Sequence, residues 1–139
     1  MAEKPVVDFY FDVSCPWSYL ALDRVREAAI RTAARVVFRP VLVVDLAGHA
    51  PADTAYEGDV RARYRAKDLA DWTRYCGVVL RRPDPWPRRP EWAQRGAVAA
   101  AALGGTAAAG AFVTATFTAL FAENRNLGDL GVVEAVAAE

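Results

Sequence analysis

Two short runs rich in β-branched and aromatic residues, VVDFYF at 6–11 and RVVFRPVLVV at 35–44, bracket a stretch with helical spacing. This order constrains the fold more than any other feature of the chain. Runs of that length and composition read as buried strands. Between them Trp17, Ala21, Val25, Ala28 and Ala29 mark an apolar stripe, while Asp23, Arg24, Glu27 and Arg31 fall off it. A strand, a crossover helix and a second strand of one sheet form a right-handed unit with parallel strands. Pro40 favours the end of the second strand or a sheet edge. Residues 1–44 are therefore expected to form an α/β unit of β-α-β type.

The remainder reads as helical. Residues 45–58 form a polar loop that carries the sole histidine, His49. Over 60–76 the spacing predicts a helix with Tyr64, Leu69, Trp72 and Cys76 on or near one face, and Gly77 suits its C-cap. The stretch RRPDPWPRRP, residues 81–90, is an extended and semi-rigid connection because each proline restricts its own φ and the residue before it. Further helices are expected over 91–103, 109–124 and 129–138. The region 56–138 is thus a large helical portion of one domain spanning 1–139, without repeats or a separating linker. Two strands alone would leave sheet edges and one face uncovered, so helices, a partner or further strands must close them.

Composition narrows the function classes. At 139 residues the chain can bury a core without disulfide staples. Lys plus Arg and Asp plus Glu are both 17, so no net field points to nucleic acid or an anionic membrane. The pairs Arg81-Arg82 and Arg88-Arg89 fit a solvated face or an anionic small ligand. The N-terminus has no long apolar signal segment, and the alanine-rich stretch around 97–111 is interrupted by glycines, Gly104, Gly105 and Gly110 among them. A cytoplasmic protein that contacts neither membrane nor nucleic acid is expected, with Cys15 and Cys76 as separate reduced thiols.

Cys15 stands where the first strand hands over to the helix, followed by Pro16, which is suited to the first helical turn. The free N–H groups and the dipole of a helix N-terminus favour an anion, and a thiolate is the nucleophilic form of cysteine. Asp12 opposes this unless it is turned aside or paired. A small buried hydrophobe is the plain alternative for Cys15, as core packing is for Cys76.

The segment DFYFDVSCPWSYLAL resembles the start of the DsbA-like branch of the thioredoxin superfamily, and most nearly its 2-hydroxychromene-2-carboxylate isomerases and kappa-class glutathione transferases. Asp12 after Phe9-Tyr10-Phe11 and the turn Cys15-Pro16-Trp17-Ser18-Tyr19-Leu20 carry the likeness. Further matches follow in order: Arg39-Pro40-Val41-Leu42, then Tyr64, Asp68, Leu69, Trp72 and Gly77, then Trp86-Pro87 with Arg95, then Phe117, Ala119 and 121–126. The resemblance implies a thioredoxin-like fold with a large helical insertion. It also implies that the family's later strands, with their Gly-Val-Pro-Thr segment, fall beyond Glu139.

Those isomerases and transferases carry serine where Cys15 stands, and the redox relatives place a second cysteine where Ser18 stands. Cys15-x-x-Ser18 is therefore a nucleophilic position without a resolving thiol. By resemblance the function is a glutathione-dependent isomerisation of an aromatic pyruvate-type substrate. Cys15, Ser14 and Ser18 act on the sulfur, and Cys15, Pro16, Trp17 and His49 hold glutathione or another low-molecular-weight thiol. His49 takes the place of a family asparagine in Gly48-His49-Ala50-Pro51. Tyr19, Trp86 and Arg89 are the substrate-side residues, and no metal is implied. Two alternatives stand beside this reading: a monothiol oxidoreductase or glutathione transferase using Cys15, and a non-catalytic remnant that self-associates as a homodimer through an open sheet edge.

Overall fold

A computed structural model describes residues 3–43, 45, 60–85 and 89–139. The element order is β1 (Val6–Phe11), α1 (Pro16–Thr32), β2 (Arg35–Pro40), α2 (Val60–Cys76), α3 (Glu91–Phe121) and α4 (Leu130–Ala138). Among the described residues the sheet consists of β1 and β2, paired in parallel with Val7 opposite Val36 and Phe9 opposite Phe38. Strand alternation turns Val7, Phe9 and Phe11 to one face and Val6, Asp8 and Tyr10 to the other. The first face is the core: Phe9 and Phe11 stack with ring centroids 5.7 Å apart, Phe38 meets both edge-on, and Phe117 of α3 closes against Phe11 at 6.0 Å. On the second face Tyr10 is exposed, and the Arg39 guanidinium donates to Asp8 at 2.8 Å.

The helix α1 begins at Pro16 and ends on Ala33, which adopts the left-handed region at φ 53°. The Ala33 and Ala34 amides cap the last turn by donating to the Ile30 and Ala29 carbonyls. The expected apolar stripe is shifted in detail. Leu20, Leu22 and Ala29 are the buried residues, Ala21 and Val25 are half-buried, and Trp17 is exposed. Trp17 lies in the first turn, at the edge of the ground that the core covers.

The expected helices at 91–103 and 109–124 are two arms of one element. They meet at Gly105, the one residue between Glu91 and Phe121 that leaves helical dihedrals, at φ 68° and ψ −161°. A Cβ on Gly96 would lie 2.4 Å from Cζ of Phe112. In a straight helix residues that far apart in sequence would be separated by about 24 Å at 1.5 Å per residue. The element therefore folds back at Gly105, with Gly96 giving room to the Phe112 ring. By length and a mean hydropathy of 1.6, α3 is long and apolar enough to cross a membrane. The reversal leaves each arm shorter than the ~20 residues a straight span needs.

The second arm of α3 lies on the sheet, where Phe112, Val113, Phe117, Leu120 and Phe121 join the core. Arg26 of α1 fixes it by donating to the Gly110 carbonyl at 2.7 Å and to Thr114 Oγ1. The connection after α2 is irregular as expected. It is tied to the end of α3 through the Arg81 amide on the Phe121 carbonyl and an Asn124–Asp84 pair of hydrogen bonds. α4 is capped by Asp129, whose Oδ1 accepts from the Gly131 amide at 2.8 Å, and it buries Val133 and Val136.

Candidate active site

The site lies at the C-terminal ends of the two parallel strands. β1 ends at Phe11, and the chain turns through Asp12 to Cys15 before α1 begins. Asp12 shapes that turn. It is 3 % exposed, and its carboxylate accepts from the Ser14 amide at 2.8 Å, the Ser14 hydroxyl at 2.7 Å and the Val43 amide at 2.9 Å. An aspartate bonding the amide two residues on forms an Asx turn, which a β-turn bond from the Cys15 amide to the Asp12 carbonyl reinforces at 2.9 Å. The carboxylate expected to oppose a sulfur anion unless turned aside or paired is thus paired with three donors.

Cys15 is the N-cap of α1, at φ −90° and ψ 114°, and its sulfur makes no capping hydrogen bond. It is half-buried and a free thiol, as is Cys76. Pro16 takes the N1 position, and the first turn of α1 holds no acidic residue. The amides of Trp17 and Ser18 lie ahead of the intrahelical ladder and so present donors at this end of the helix. Ser18 Oγ accepts from the Asp12 amide at 3.3 Å, which leaves its hydroxyl proton free to donate. The Ser14 proton, by contrast, is spent on Asp12.

The other residues singled out in the sequence fall elsewhere. Tyr19 is built into the core wall. Its ring stacks on Phe117 and Phe121 at 5.5 Å and 5.4 Å, and its hydroxyl donates to the Val79 carbonyl at 3.3 Å. Burial, and secondarily the Asp23 charge, push its phenol above the ordinary value. Arg89 is exposed and pairs with Glu91 at 2.7 Å. His49 and Trp86 lie outside the described residues.

Two features went unread in the sequence. Gln94, 6 % exposed in the first turns of α3, donates through Nε2 to the Phe11 carbonyl at 3.1 Å and the Val41 carbonyl at 2.5 Å. It clamps α3 to the strand ends beside the turn, and its Oε1 is buried without a partner. A glutamine between the core residues Ala93 and Ala97 was the available signal. The second feature is Cys76. Instead of packing in the core, it lies half-buried in a groove lined by Trp17, Leu20, Ala21, Arg24 and Trp72. The Arg24 guanidinium there is held above its ordinary value, chiefly by the neighbouring Cys76 side chain.

A parallel β-α-β unit, a cysteine at the N-cap of its helix and a large helical portion packed on one sheet face define a thioredoxin-like α/β domain. The family model of the DSBA-like thioredoxin domain matches residues 6–139, and the chain belongs to that family. No curated protein matches the sequence. Among solved structures the fold is similar to 2-hydroxychromene-2-carboxylate isomerase in its selenomethionine form. The TM-score is 0.73 at 22 % identity, over 96 % of this chain and 71 % of that one.

Proposed function

We propose that the chain is a 2-hydroxychromene-2-carboxylate isomerase-like enzyme that uses glutathione, or another low-molecular-weight thiol, on an aromatic pyruvate-type substrate. The observation that carries this reading is the Asp12 turn. It places Cys15 at the N-cap of a helix whose first turn holds no acidic residue, and it engages the Asp12 carboxylate with three donors. The structural likeness to an isomerase of that name supports the substrate class.

The donor set suits a bound thiolate. The Ser18 O–H, the Cys15 S–H and the first-turn amides of α1 are the groups that would hold a sulfur anion. When bound, glutathione supplies a thiol that adds reversibly to the conjugated carbon of the substrate and so permits rotation about the former double bond. Ser18 then acts as hydrogen-bond donor, Pro16 and Trp17 border the thiol, and Ser14 holds the turn through Asp12. Trp86 and His49 belong to this proposal as substrate-side and thiol-side residues, with Arg89 available to a carboxylate once it releases Glu91.

The test follows interconversion of 2-hydroxychromene-2-carboxylate and its ring-opened trans isomer by ultraviolet absorbance, with and without glutathione. The expected result is a glutathione-dependent rate that falls about 100-fold in Cys15→Ala and in Ser18→Ala, the lower end of the range for losing a donor to a developing anion. A rate equal to that of glutathione alone, or one indifferent to Cys15→Ala, would overturn the proposal.

The free, half-exposed Cys15 with Ser18 three residues on also favours a second reading, a monothiol oxidoreductase. Under it, oxidised glutathione adds one glutathionyl group to Cys15 and releases one reduced glutathione, read by mass spectrometry, while the isomerase assay stays blank.

A further inference from the structure

Trp17, Leu20, Ala21 and Arg24 recur at three- and four-residue spacing and so form one face of α1. Trp72 and Cys76 do the same on α2. The two faces enclose a groove of about 210 Å³. That is room for one aromatic ring, since a cavity of ~150 Å³ already admits benzene. Its walls are tryptophans that stay 42 % and 44 % exposed, Trp17 and Trp72, an unusual outlay of indole on solvent. Among the described residues Arg24 is the cation that lines it. The guanidinium carbon lies 4.7 Å from the centre of the Tyr75 ring, and Cys76 lines the same groove. On α2, Asp71 is engaged by Lys67 and Arg74.

We propose that this groove, which shares Trp17 with the Cys15 turn, binds planar anionic aromatic molecules and delivers them to Cys76, making Cys76 a second modifiable thiol. Each part has its own task. The tryptophans offer faces for stacking, the Arg24 fork takes a carboxylate, and Cys76 lines the same groove. The C-terminal dipole of α2 does not favour an anion at Cys76. The selectivity therefore comes from binding at Arg24. Toward an aromatic disulfide the step is exchange. Cys76 loses its proton to water, Sγ bonds to one reagent sulfur, the reagent S–S bond breaks, and the other half leaves as a thiolate with the electron pair.

The test uses the whole chain carrying Cys15→Ser, so that Cys76 is the only thiol. Its modification rate by 5,5′-dithiobis(2-nitrobenzoate), an aromatic disulfide with carboxylates, is compared with that by neutral 2,2′-dithiodipyridine. Both rates are normalised to those of a short cysteine peptide. At low salt the expected preference for the carboxylate reagent is about five- to tenfold, the worth of one near charge pair. It should fall below about twofold in Arg24→Gln and return in part in Arg24→Lys. A preference that persists in Arg24→Gln, no preference at all, or a Cys76 that neither reagent modifies in the folded chain overturns the proposal. It rests on neither glutathione nor Cys15, so it stands or falls apart from the isomerase assay.

Discussion

Without its Asp12 side chain the half-buried Ser14 amide and the amide of exposed Val43 lose their acceptor. A fully buried stranded donor costs about 1–3 kcal/mol, and a donor that water can reach costs less. Asp12→Ala should therefore lower the urea-unfolding free energy by about 1–3 kcal/mol, with Asp12→Asn losing less because one carbonyl oxygen remains to accept. An unchanged unfolding midpoint would contradict the assigned role. Tyr19 gives a pH-dependent counterpart. Its phenol is neutral in both states below its ordinary value of about 10, where its contribution is whole. As pH rises past that value the unfolded chain releases its proton first, and stability falls through the higher folded value. Tyr19→Phe should remove that alkaline loss while changing neutral stability by only the ~1 kcal/mol of one hydrogen bond. The measurement is a pair of denaturation series between pH 8 and 11. At this scale the sequence made Cys15 and Pro16 legible, because local chain chemistry decides a helix start. It left open whether Asp12 is paired, because one of its partners is Val43, a residue that only the fold brings to it.

At the scale of elements, the two strands and α1 follow from alternation and periodicity, and β1, α1 and α2 occupy the spans that the residues predict. α3 was harder. Alanine and glycine give little periodic contrast, so the arms were readable and the reversal joining them was not. Gly105 occupies a region of φ and ψ that is nearly exclusive to glycine, and nothing lies within 4 Å of where its Cβ would be. The penalty of Gly105→Ala is thus backbone strain alone, about 1–3 kcal/mol in chemical denaturation. Ala33 is the reverse case, an L-residue in the left-handed cap of α1. Ala33→Gly should stabilise by about 0.5–1 kcal/mol, and a loss of stability there would contradict the observed cap.

Across the whole molecule one sheet face is buried under α1 and α3, while Asp8, Tyr10 and Arg39 hold the other. The candidate site draws on distant parts of the chain. The turn comes from residues 12–18, Val43 follows β2, and Gln94 clamps α3 to the same strand ends. Family resemblance reached the turn because its residues are contiguous. It did not reach Gln94, which carries no sign of its own apart from being polar among alanines. Gln94→Leu leaves the Val41 carbonyl without this donor and should lower both stability, by about 1–3 kcal/mol, and the reactivity of Cys15. The central claim is that the Asp12 turn offers Cys15 sulfur to a helix N-terminus as a working nucleophile or anion site. The most direct measurement is the rate of Cys15 alkylation by iodoacetamide at pH 7, read by mass spectrometry against an unstructured peptide of the same local sequence. The account predicts a rate at least about tenfold above the peptide's, slowed by Asp12→Ala. A rate equal to or below the peptide's would contradict it.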